Sequence, residues 1–235
     1  MKKIKINEKF FEIFPTSKIG ILIVNNLNNN YDGNEIAYTN MLKNAMNEAK
    51  KHLQAEVFSD NPIIKNWREA YSKIVTKKGA RCSIEALLKR VNNGNEINNI
   101  NPLVDIYNAI SLKYGLPCGG EDLDKIVGDF ELTFANGDEF FQTYGSEEVD
   151  LPRKDELIYK DDEGAICRSW NWREALRTIL TTETKNAILV IEINDNKYEK
   201  ELISALKEMK HLIETQLNGQ VQEYIFDINF QEAEI

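Results

Sequence analysis

The chain has 235 residues, a formal net charge of −9, and 42% hydrophobic and 29% charged content. Such a balance suits a globular domain with a sizeable core and speaks against an extensive phosphate-binding footprint, which needs a basic surface. No run approaches the roughly 20 apolar residues of a membrane span, and three scattered cysteines beside two histidines argue against a disulfide framework or a His/Cys metal site.

The start, MKKIKINEKF, is basic and lacks the apolar core of a secretion signal, so a cytoplasmic setting is expected. KIGILIVNN follows, an apolar strand-like run that ends in asparagines. Helical spacing then extends from Glu35 to about Leu53, with Met41, Ala45 and Met46 inward. Asn61-Pro62 opens a further helix carrying Trp67, Arg68 and Tyr71. Ser83 reads as the cap of SIEALLKRV, with Glu85 in the first turn, where the helix dipole favours negative charge. NNGNEINNIN is a loop by composition.

The stretch from Asn101 to Ile126 organises the rest. Asn101 suits a helix cap and Pro102 the first helical position, whose N–H has no helical partner anyway. Leu103, Val104, Ile106, Tyr107, Ile110 and Leu112 recur at helical spacing, and Asp105 and Asn108 sit one turn apart. Gly115 and Pro117 stop the helix. Gly119-Gly120-Glu121-Asp122 then reads as a loop whose bare glycines allow a ligand or another backbone to approach. By pattern the pair of polar groups and the glycines fit either a pocket or a satisfied core amide beside a turn.

After Ile126 the texture changes to sheet. DFELTFANG ends in a hairpin-type Asn136-Gly137, and ELIYKDDEGAICRSW reads as two strands. NAILVIEIN is a buried strand, the segment from Tyr198 to about Leu217 is an amphipathic helix, and QEYIFDINF is a closing strand. The expected fold is therefore α+β: one domain over 1–235, a mixed sheet flanked by helices, with a largely helical N-terminal part. Two basic groups, Lys77, Lys78, Arg81, Lys89 and Arg90, and Arg168, Arg173 and Arg177, read as solvated faces.

No GxSxG, GxxxxGK[ST] or GxGxxG occurs, and Cys118 has no histidine near it in sequence. The candidates that remain are polar and non-nucleophilic: Asp105, Asn108, Glu121, Asp122, Glu147, Glu148, Asn171, Arg173, Thr178 and Thr182. Such a set positions water and holds a polar ligand. In RSWNWREALRT, Trp170 and Trp172 read as the core and surface positions of one strand, or as stacking platforms.

LVDIYNAISLKYGLPCGGEDLDKI, followed by a strand with a glycine turn and then ELIYKDDEGAICRSWNWREALRTILTTET, resembles the editing module (the B-three/B-four domain) of the phenylalanyl-tRNA synthetase beta subunit. It resembles more closely the free-standing proteins built from that module. The likeness spans about 67–192, leaving 193–235 as a helix and strand packed on it. It implies hydrolysis of the ester of a wrongly attached amino acid at the acceptor end of a tRNA, by a positioned water, with no metal, no cofactor and no covalent nucleophile. DNA and membranes are not expected partners. Asn108 falls on an asparagine of that family's pocket helix and Asp105 on the aspartate of the same motif. Pro117 matches the proline before the pocket loop, while Gly119 and Glu121 replace a histidine and an aromatic. Glu147 or Glu148 lies near a glutamate that reads a tyrosine hydroxyl, and Asn171 to Arg173 fall on the pocket wall.

The residue pattern and the resemblance together nominate Asn108, Gly119 and Gly120 as catalytic. Asp105, Glu121, Asp122, Glu148, Asn171, Arg173 and Thr178 are nominated as substrate-binding. The added carboxylate points to a polar or basic amino acid, since an ion pair away from bulk water is stronger. The alternative is a module that binds an amino acid or a tRNA end without hydrolysis.

Overall fold

The computed structural model describes residues 2–235. Two sheets and six α-helices form an α+β domain. The first sheet has strands β1 (Lys3–Ile6), β4 (Phe130–Phe134), β5 (Leu157–Asp161), β6 (Gly164–Arg168), β7 (Arg173–Glu174) and β10 (Glu232–Glu234), in the order β10-β1-β4-β5-β6-β7. It is mixed, because β1 runs parallel to β4 and the other pairs are antiparallel. The second sheet is antiparallel, ordered β3-β8-β2-β9, from β2 (Lys18–Asn25), β3 (Cys118–Asp122), β8 (Ala187–Ile193) and β9 (Gln220–Phe226).

The helices are α1 (Glu8–Ile13), α2 (Glu35–Ala49), α3 (Pro62–Tyr71), α4 (Ser83–Asn92), α5 (Pro102–Tyr114) and α6 (Glu199–Gln216). Strand alternation divides the core. On β8, Ala187, Leu189, Ile191 and Ile193 join the apolar layer under α5 and α6, whereas Ile188 and Val190 face the other sheet. Leu202, Leu206, Met209 and Ile213 of α6 cover that first face. Gly20 of β2 has no room for a side chain, since a Cβ there would stand 2.6 Å from Leu206 Cδ1.

Helix α5 forms as its sequence dictates. The Asn101 side chain accepts from the Val104 N–H at 3.1 Å, and Gly115 closes the helix in the left-handed region at φ 69°. A second asparagine fixes this end: Asn29 accepts from the Leu103 N–H (2.8 Å) and donates to Asn101 Oδ1 (3.0 Å) and the Thr181 carbonyl (2.7 Å).

Several expectations are corrected. The diglycine segment is not a loop but strand β3, paired residue for residue with β8. Ser83 is not a cap: Cys82 holds that position, and the buried Ser83 Oγ has no partner among the described residues. Asn136-Gly137 opens no tight hairpin. Both of its N–H groups donate to Glu139, and the chain travels through 137–156 before β5 returns. Trp170 and Trp172 do not share a strand. Ser169 (φ 46°) and Trp170 (φ 67°) make a left-handed turn between β6 and β7 that puts Trp170 fully inside and leaves Trp172 half-buried.

One arginine of the expected solvated face lies inside and another is partly covered. Arg168 is 1% exposed and pairs with Glu156 and Asp150, and the half-buried Arg177 pairs with Asp161. Burying a cation requires such partners, which sequence spacing does not reveal.

Candidate functional site: an acidic hollow between the two sheets

A hollow of about 280 Å³ opens where β3 and β8 face β6 and β7, with α4 and α5 at its sides. That is slightly below the roughly 300–1,000 Å³ of pockets for drug-sized ligands, so it suits an amino acid better than a nucleotide. Alternation along β3 turns Gly119 and Glu121 toward it, and their β8 partners Val190 and Ile188 share that face. Glu192 follows on the same face of β8. Helix α5 contributes Tyr107 and Asn108, and α4 contributes Ser83, Ala86, Leu87 and Arg90. Phe130, Tyr159 and Cys167 supply the wall from the first sheet. The left-handed turn delivers Asn171, Trp172, Arg173 and Glu174.

Asn108 is 9% exposed, and its carboxamide has no hydrogen-bond partner among the described residues, so it is free for a ligand. Gly119 is open on the hollow side, where Glu174 Oε1 lies 3.3 Å from the position a Cβ would take. Gly120 packs the opposite way, against Leu189 and Leu180. Arg173 stacks on Trp172, 5.0 Å from the ring centroid, and is exposed at the mouth beside Arg90.

Three carboxyl groups share the hollow. Burial pushes Glu174 up to about 7 against the pull of the Gly120 N–H. Burial likewise takes Glu192 to about 7, although Tyr159, Asn171 and Trp170 donate to it. Glu121 is raised well above the usual carboxylate range by burial first and by Glu174 second. A cluster of buried acids favours a ligand carrying positive charge or several donors. The Cys118 thiol is held up by burial, far from a reactive thiolate. Among the described residues no group of His, Cys, Asp and Glu is arranged to hold a metal ion, and no helix is long and apolar enough to cross a membrane.

Of the residues nominated from sequence, the fold brings Asn108, Gly119, Gly120, Glu121, Asn171 and Arg173 to this hollow. Asp105 lies outside it. Its carboxylate accepts from Tyr31 Oη (2.7 Å), Asn99 Nδ2 (2.6 Å) and the Ile100 N–H (2.9 Å), closing the start of α5. Asp122 faces away and accepts from Thr184 Oγ1 at 2.8 Å. Glu148 is in an exposed loop near Ser146. Thr178 is fully buried and lies outside the lining, its Oγ1 without a hydrogen-bond partner among the described residues. Glu174 and Glu192 escaped the sequence reading, because one sits on a two-residue strand and the other inside a strongly apolar one. A glutamate within NAILVIEIN was the available signal for the second.

Residues 66–224 match the B3/4 domain, a stretch that contains every residue lining the hollow. The phenylalanine–tRNA ligase beta subunit of Shewanella oneidensis is 36% identical over 66 residues, which is 28% of this chain and 8% of that subunit. A crystallised N-terminal fragment of the phenylalanyl-tRNA synthetase beta subunit from Pyrococcus horikoshii aligns with a TM-score of 0.41 and 13% identity, over 94% of this chain and 53% of that one. The chain thus spans about half of the solved fragment and a small part of the ligase subunit. With more than half of its length matched and the whole lining of its hollow inside that stretch, the chain belongs to the B3/4 domain family.

Proposed function

We propose that the chain is an aminoacyl-tRNA deacylase acting in trans in the cytoplasm, releasing a wrongly attached amino acid from the acceptor end of a tRNA. One observation carries this reading: an unpartnered asparagine amide, the diglycine backbone and clustered carboxylates line one amino-acid-sized hollow. An aminoacyl ester is already activated, so orienting a water and stabilising the developing oxyanion suffice. Asn108 supplies a donor beside the bare Gly119-Gly120 backbone, and Glu121 reads the α-amino group or side chain. Asn171 shapes the wall. Arg173 and Arg90 at the mouth accept the RNA terminus. The acidic interior supports a polar or basic amino acid over tyrosine. Its ester would be held by ion pairs strengthened away from water.

A panel of tRNAs charged with tyrosine and with basic amino acids tests both parts. Hydrolysis that Asn108→Ala slows by about 10²–10³-fold supports the enzyme, and preference for tyrosine defeats the assignment of amino-acid class. Stabilisation by free amino acid without any hydrolysis would identify a binding module instead.

A further inference from the structure

The three acids of the hollow have different surroundings. Glu192 gives one oxygen to Tyr159 and to Trp170 Nε1 (2.7 Å) and the other to Asn171, so both are engaged. Glu121 is 4% exposed and deep, with Oε2 enclosed and unpartnered. Glu174 stands toward the open side, half-buried, on a strand only two residues long and directly opposite Cys167. Its carboxylate leans over the diglycine, close enough that only a bare backbone at Gly119 leaves ordinary room. Among the described residues no side chain donates to it; Gly120 N–H is the group that draws on it.

We propose that Glu174 is a catalytic general base, taking the proton from the water that attacks the ester carbonyl. This assignment rests on the deacylase reading. Water oxygen bonds to the carbonyl carbon while its proton passes to the Glu174 carboxylate, and the carbonyl oxygen gains negative charge facing Asn108 and the diglycine. On collapse the bond from carbon to the ribose oxygen breaks, and that oxygen takes the proton back from Glu174. A free amino acid and a free RNA terminus result, with Glu174 restored.

A base works best with a pKa near the working pH, and burial brings this carboxyl to about 7. Cys118 and Glu121 from β3, Tyr107 from α5, Tyr159 from β5, Cys167 from β6 and Glu192 from β8 face the same space, with Arg90 and Arg173 at its mouth. The thiols and the two phenols are held protonated by burial, so carboxylates carry the titration there.

The test is the pH dependence of single-turnover hydrolysis, using the full chain and the aminoacyl-tRNA that the panel identifies. Wild type is expected to gain rate through a pH near 7 and then level off. Glu174→Gln should lose about 10²-fold or more in the chemical step, with KM little changed and that rise abolished. Glu174→Asp should keep the rise at lower rate, and formate should partly restore Glu174→Ala. A Glu174→Gln protein that keeps the wild-type rate and pH rise, or one that changes only KM, overturns the assignment while leaving the deacylase reading intact. If wild type hydrolyses none of the panel, both fall.

Discussion

A methyl group added at Gly119 would come within 3.3 Å of Glu174 Oε1, whereas one at Gly120 would meet Leu189 Cδ2 at 2.4 Å. Adjacent strand residues face opposite ways, so one change crowds the hollow and the other crowds the core under α5. Gly120→Ala is expected to lower stability by about 1–3 kcal/mol through overpacking. Gly119→Ala should leave the denaturation midpoint near wild type but slow hydrolysis by about tenfold or more, by displacing the group beside the reacting atoms. Equal losses of stability in the two variants would contradict this division. The glycine pair was visible in the sequence as a place of close approach. Its opposed faces were not, because they depend on pairing with β8.

Among the elements, α5 is the one whose local chemistry decides its placement. Its start is held by a relay that includes Asn29, far away in sequence and fully buried, which serves both Leu103 and Asn101. Asn29→Ala removes the acceptor of a helix-end N–H and strands part of Asn101. It is therefore expected to cost about 2–3 kcal/mol in denaturant unfolding, with a larger effect than Asn30→Ala on the surface. Asn101, Pro102 and Gly115 announced this helix, since caps act within a few residues. Asp105 shows the limit of that reasoning. Its spacing from Asn108 suggested a shared task, yet the first turn of the helix claims its carboxylate for Tyr31, Asn99 and the Ile100 N–H. The left-handed turn at Ser169 and Trp170 was equally hidden, because buried Glu156 receives the Ser169 N–H (3.0 Å) and Oγ (2.7 Å) across the fold.

Across the whole molecule, the clustered acids impose a pH dependence on stability. Burial raises the Glu192 carboxyl from 4.5 to about 7 in the fold, so the native state holds a proton that the unfolded chain has released between these values. Native proton uptake makes stability fall as pH rises through this window. At roughly 1.4 kcal/mol per pH unit, Glu192 alone accounts for about 3 kcal/mol. Glu156 works in the opposite sense. Burial raises its carboxyl, but Arg168, Arg153 and Ser169 bring it below the usual range, so its contribution is lost only in more acidic solution. Urea unfolding is expected to give lower stability at pH 8 than at pH 5.5, and Glu192→Gln should flatten that slope. A slope unchanged by the substitution would refute the assignment.

The hollow lies between separate sheets, and much of its wall is apolar: Phe130 and Tyr159 on one side, Val190 on the other, Ala86 and Leu87 from the helix. Exchanging these side chains for larger or smaller ones alters the room available while the strand ladders keep their register. One scaffold can thus be recut for guests of different bulk, its acids remaining where they stand.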